Sequence, residues 1–146
     1  MGISNIYEFE ELLVEELDNL VQPGMIFTAE NAQDLDNESF TQHTVDEDKI
    51  GILVVNGGFK ADPIVAKNNQ QKIKMFWRIS VVCPRELYRV HGGYKLIEIA
   101  NKLKGNRLSN NYTKLMMVSD ERDFNAPEFE NDLAFLPSMY QVEAII

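Results

Sequence analysis

Residues 72–84 read Lys-Ile-Lys-Met-Phe-Trp-Arg-Ile-Ser-Val-Val-Cys-Pro. Ile73, Met75, Trp77, Ile79, Val81 and Cys83 take every second position, with Lys72, Lys74, Arg78 and Ser80 between them. Successive side chains on a strand point to opposite faces, so the spacing predicts a long strand with one buried and one largely wet face. Pro84 closes it, because proline has no N–H to give to a neighbouring strand. A short link and Gly92-Gly93 follow, then an amphipathic helix over 94–104. Its apolar stripe is expected at Leu96, Ile97, Ala100 and Leu103, with Gly105 as a left-handed cap. This strand and helix are the expected centre of the core.

Upstream, Asn5 precedes a second amphipathic helix with Ile6, Phe9, Leu12, Leu13, Leu17, Leu20 and Val21 on one face. Asn5 and Glu8 have the spacing of a capping box, and Pro23-Gly24 ends the helix. Glu8, Glu10, Glu11, Glu15, Glu16 and Asp18 form its acidic, solvated side. Residues 25–28 read as a short strand, and 29–49 as a long acidic loop. Residues 50–55 are a continuous apolar run that suits an inner strand, with Asn56-Gly57-Gly58 expected as a turn. Phe59 to Gln71 is expected as a polar connection with a turn at Asp62-Pro63.

Downstream, residues 114–119 read as a strand and 120–131 as polar chain. In the last stretch Tyr140, Val142, Ala144 and Ile146 alternate with Met139, Gln141, Glu143 and Ile145, which reads as a strand with one apolar face. Pro137 places that strand at an edge, or makes it start after a break. The pattern predicts one α+β domain of two layers, with two helices packed on one face of a mostly antiparallel sheet of about five strands.

The 146 residues carry a net charge of −9, unevenly spread. Residues 1–60 hold thirteen acids and two bases, residues 61–118 three and eleven, and residues 119–146 seven and one. Net acidity argues against a general nucleic-acid binder held by phosphate contacts. The favoured account of the basic middle is that charged segments meet each other, within the fold or between copies. No apolar run is long enough to span a membrane, and no secretory leader is expected. Cys83 is the single cysteine and falls on the apolar face of its strand, so a small buried hydrophobe is expected.

Catalytic chemistry needs an acid–base pair, an activated nucleophile or a metal set. His43 and His91 are the two histidines, and neither has companions at metal-ligand spacing. Asp34, Asp36 and Glu38 begin like a calcium loop, but Ser39 stands where the glycine belongs and Val45 where the closing glutamate belongs. The strand followed by Asn56-Gly57-Gly58 lacks the further glycines or the Gly-Lys-Ser/Thr of a nucleotide loop. No catalytic, cofactor-binding or metal residue is assigned, and the chain is not expected to be an enzyme.

Taken in order, these motifs resemble the tail terminator proteins of long-tailed bacteriophages, in particular the Mu-like minor tail protein group. The likeness rests on the N-terminal helix, the strand 50–55 with Asn56-Gly57-Gly58 and the strand 73–83. The helix from Gly93 to Gly105 and the strands that follow it complete the pattern. The acidic loop 29–49 is not part of it. The resemblance implies a structural virion protein at the neck end of the tail, assembled in the host cytoplasm. It would form a homohexameric ring on the tail tube protein, stop tube growth and offer a surface to a head-side connector or neck protein. DNA would pass through the ring without specific binding, and neither a cofactor nor a membrane is involved. Another head–tail joining or tail completion protein is the alternative, ahead of a small enzyme or ligand-binding domain. The expected contact residues are Phe40, Asp46, Glu47 and Asp48 in the first loop and Phe59, Asp62, Lys67 and Lys72 around the second.

Overall fold

The computed structural model describes residues 2–31, 49–65, 67–119 and 125–146. The quoted stretch is its central strand, β3 (Gln71–Pro84). Ile73, Met75, Trp77, Ile79, Val81 and Cys83 are each 1% exposed or less. β3 is paired antiparallel along its length with β2 (Gly51–Val65) on one side and β6 (Leu133–Ile145) on the other. Its backbone polar groups are therefore satisfied within the sheet, and the alternation only has to sort side chains between faces.

β1 (Ile26–Thr28) adds to β2 in parallel, while β4 (Met116–Val118) and β5 (Glu128–Glu130) both pair antiparallel with the far side of β6. The result is a six-stranded mixed sheet in the order β1-β2-β3-β6-β4, with β5 also on β6. Helices α1 (Glu8–Leu17) and α2 (Gly93–Leu103) share a core with the Trp77 face, so the fold is a two-layer α+β domain. Phe9, Leu13 and Leu17 of α1 are fully buried, and Phe9 lies 6.0 Å from the Trp77 ring and 4.7 Å from Tyr112. Burying each such side chain is worth roughly 1.5–3 kcal/mol before ordering entropy.

Local signals are overruled in several places. The expected capping box at Asn5 is not the cap: Tyr7 holds the N-cap position without a side-chain bond, and Asn5 Oδ1 accepts from Tyr7 N at 2.9 Å one turn earlier. Asn56-Gly57-Gly58 is not a turn but a bulge, with a register shift between Asn56 and Phe59, and β2 runs on. Asn56 Oδ1 accepts from Gly58 N at 2.9 Å, and Gly58 takes the positive φ of 101° that the bulge needs. Most of the expected connection 59–71 is therefore strand. Asp62-Pro63 marks a second shift, between Ala61 and Val65. The chain reverses at Lys67–Asn69, where Asn68 and Asn69 adopt φ of 69° and 61°. Pairing with the strongly apolar β3 outweighs the turn preference of three polar or glycine residues.

The chain enters α2 through a tight turn at Arg85–Leu87 and a wide π turn at Tyr88–Gly92. Gly92-Gly93 thus lies in a helical run, not in a turn. A Cβ at Gly92 would stand 2.8 Å from Leu136 Cδ1 and 3.3 Å from Cys83 Sγ, so the glycine lets helix and sheet touch. The buried stripe of α2 is Ile99, Ala100 and Leu103, with Leu96 packed beside it. Ile97, expected in the stripe, is 58% exposed. Ile97 and Ile99 stand about 200° apart around the helix, so only one of them can face the core, and here it is Ile99.

β6 is not an edge strand and does not break at Pro137. Pro137 falls between the stretch paired with β5 (Leu133 to Phe135) and the stretch paired with β4 (Met139 to Gln141). A residue without an N–H is tolerated where one flank has no ladder. β5 falls in chain that the sequence reading left as polar.

Candidate functional site

The far half of the β2–β3 hairpin extends past the helical layer. β1 pairs β2 only as far as Val54, so the outer edge of β2 from Val55 onward has no neighbour among the described residues. On the helix side, Phe59 lies opposite Met75 yet is 54% exposed. Near the turn, Ile64 and Val65 are 76% and 53% exposed. On the other face, Lys60 stands directly opposite Lys74, and Lys72 follows two positions along. Like charges opposed across a ladder repel, which costs a few tenths to about 1 kcal/mol. The Lys60 ammonium lies 5.8 Å from the Phe76 ring centre, and Lys72 reaches Glu143 at 3.8 Å with half its side chain still exposed.

Of the eight expected contact residues, Phe59, Asp62, Lys67 and Lys72 lie along this part of the hairpin, with Phe59 on the helix side and Lys72 on the opposite face. Phe40, Asp46, Glu47 and Asp48 lie outside the described residues. Asp62 holds the bulge: its Oδ1 accepts from Ile64 N at 3.0 Å and its carbonyl from Gln71 Nε2 at 2.5 Å. Lys67 starts the turn and points into solvent with Asn68 and Asn69. Lys60 and Lys74, on the Lys72 face, and Ile64 and Val65, near the turn, are exposed in the same part of the hairpin and were not singled out from the sequence. The signal for two of them was an Ile-Val pair in a segment otherwise too polar to reach a core.

α1 presents the opposite charge. Glu8, Glu11, Glu15 and Asp18 follow the 3–4–3 spacing of one helix face and are all exposed. Residues 2–31 contain no Lys or Arg, and no α1 carboxylate pairs with one among the described residues. Glu10, half-buried on the next face, has its carboxyl raised above the usual range by burial and then by Glu30 and Glu11. Tyr7, 52% exposed, heads the helix and meets Trp77 edge-on at 6.3 Å.

Two concavities lack a reactive arrangement. A cleft of about 430 Å³ between residues 19–22 and the start of α2 is lined by His91, Tyr94, Lys95 and Glu98 among others. Lys95 Nζ there donates to Leu20 O at 2.5 Å and to Glu98 Oε1 at 3.1 Å, so its charge is already engaged in holding the end of the first helical segment to α2. A second, of about 340 Å³, lies on the open sheet face, where Arg78 pairs with Glu128 at 2.6 Å. Among the described residues no three His, Cys, Asp or Glu side chains gather as metal ligands. Cys83 is buried, and burial followed by the Glu86 charge pushes its thiol up to about 12, so it stays protonated and unreactive at neutral pH. Among the described residues no helix is long and apolar enough to cross a membrane.

What this geometry offers is surface: an acidic helix, and a sheet end that is basic and apolar. The fold is similar to that of a solved virion chain. It superposes on a chain in the virion of the native gene transfer agent (GTA) particle with a TM-score of 0.50, over 92% of this chain and 84% of that one. The two are 11% identical, so the likeness is one of fold. No protein-family model and no curated protein matches the sequence.

Proposed function

We propose that the chain is a structural virion protein of a phage or phage-tail-like particle. It assembles as a closed ring of identical copies, six as the resemblance to tail terminators implies, on the last ring of a tail tube. There it ends elongation and offers its other side to a head-side connector or neck protein. The observation that carries this is the fold shared with the virion chain along nearly the whole sequence. The exposed apolar groups at one end of the hairpin support it, because a monomer rarely leaves such groups together in water.

The mechanism is one of matching surfaces. A growing tube accepts the next ring because its end is incomplete. A terminator fits that end with one side and fails to reproduce it with the other. Two unlike patches on each copy suit head-to-tail contacts, which close into a ring when the rotation between copies divides the circle. The net charge of −9 repels the DNA backbone and keeps the passing genome from adhering to the ring.

Electron microscopy of tubes grown with and without the protein tests this reading. Tubes should be uniform in length and carry a ring of the protein at one end only. Binding along the tube wall, or no binding, rejects it. Rings found on the head side of the neck favour a joining protein instead.

A further inference from the structure

We propose that the far end of the β2–β3 hairpin docks, side chain against side chain, on the acidic face of α1 in a second copy of this chain. The proposal rests on the ring reading above and names the contact that would build the ring.

Among the described residues the hairpin end is only partly neutralised within its own copy, by Glu143, which reaches Lys72 at 3.8 Å and lies opposite Lys74. Lys60, Lys67, Lys72 and Lys74 face one acid, Asp62, in this segment, and Lys60 is held directly opposite Lys74. Placing two ammonium groups across from each other costs the isolated chain stability and gains a site that an anionic surface can neutralise. Phe59, Ile64 and Val65 add apolar area at the same end. The counterpart of opposite sign is present in the same sequence. Glu8, Glu11, Glu15 and Asp18 line an exposed face of α1, and among the described residues no ion pair joins that face to the hairpin within one copy. Exposed Tyr7 supplies an apolar spot at the head of the stripe. On the neighbouring face, burial and then the charges of Glu30 and Glu11 raise the Glu10 carboxyl.

Contact through side chains, not strand addition, follows from the edge itself. The free flank of β2 carries two register shifts, a proline at 63 without an N–H, and Lys60. Each of these obstructs a continuous ladder with another strand. The hairpin end and α1 are different patches, so the contact is head-to-tail and each copy both gives a hairpin and receives one.

The test uses the full chain in two variants: K60E/K67E, which reverses the hairpin, and E11K/E15K, which reverses the helix. All four positions are exposed, and circular dichroism melts check that both variants fold. Self-association is read by mass photometry and light scattering over a concentration series. Each variant alone should need at least about tenfold more protein to assemble. An equimolar mixture should recover assembly, because each hairpin then meets a helix of opposite sign. Variants that assemble as well as the original, or a mixture that does not recover, overturn the hairpin-to-helix contact while leaving the ring reading standing. An original chain that stays monomeric in solution and on tube ends overturns the ring reading and this contact with it. Loss in the hairpin variant alone places the lysines against some other surface of the neighbouring copy and rejects the contact with α1.

Discussion

Gly92 is where helix and sheet approach most closely. A methyl group there would press on Leu136 and Cys83, both buried. Overpacking of this kind costs about 1–3 kcal/mol, while alanine returns up to about 1 kcal/mol of helix propensity. Gly92→Ala should therefore be a net loss, read as a lower midpoint in urea unfolding. Tyr112 gives the opposite case. Its hydroxyl is buried with no hydrogen-bond partner among the described residues, so Tyr112→Phe should change stability by no more than about 0.5 kcal/mol, or raise it. Cys83, Tyr112 and Tyr140 all hold their protons more tightly folded than unfolded, chiefly through burial. The unfolded chain then releases those protons first as pH rises. Stability is complete below the ordinary thiol value near 9 and falls from there towards about 12, the folded value for Cys83. Each such group contributes a slope of up to about 1.4 kcal/mol per pH unit. Urea melts from pH 8 to pH 11 should show the fall, and Cys83→Ala should make it shallower.

At the scale of elements, the hairpin divides into a half that builds the core and a half that does not. Up to Val54 in β2 and from Ile73 onward in β3, core-face residues are buried in the main core. Beyond Ala61 the side chains of β2 and the turn are largely solvated. Deleting Asp62–Asn69 should leave the midpoint of thermal unfolding within a few degrees of the original, since little apolar area is lost from the core. The same deletion should abolish assembly in mass photometry, and a shortened hairpin that still forms rings would rule out its role. α1 should behave in the contrary way. Leu13→Ala removes a fully buried side chain and should cost about 2–5 kcal/mol in unfolding measurements.

At the scale of the molecule, charge is segregated between a basic sheet end and an acidic helix. Contacts between such patches are screened by salt, with a screening length of about 10 Å at 0.1 M and about 3 Å at 1 M. Self-association should therefore weaken between 0.1 M and 1 M sodium chloride in light scattering, while the folded core, held by apolar burial, melts at nearly the same temperature. Association that strengthens with salt would point to an apolar contact instead.

The period-two run from Ile73 to Cys83 and the spacings Phe9–Leu13–Leu17 and Leu96–Ala100–Leu103 determined the two-layer α+β fold, because such patterns tell one face of an element from the other. They also determined that the middle of the chain is basic and its start acidic, and so made Lys67, Lys72 and Asp62 legible as surface. Other features depended on which strand lies beside which. Asn56-Gly57-Gly58 reads locally as a turn and becomes a bulge because β3 offers a long ladder. Pro137 reads as an edge and sits inside the sheet because two short strands leave a gap beside it. Ile97 reads as core and faces water because packing against the sheet buries Ile99, on the opposite side of the helix. Lys60 opposite Lys74 is invisible in one dimension, since fourteen positions separate them and only the register of the hairpin brings them together. A sequence lists the side chains that each element carries, but pairing across space is a long-range choice, and it is made by the total burial and hydrogen bonding of the whole sheet.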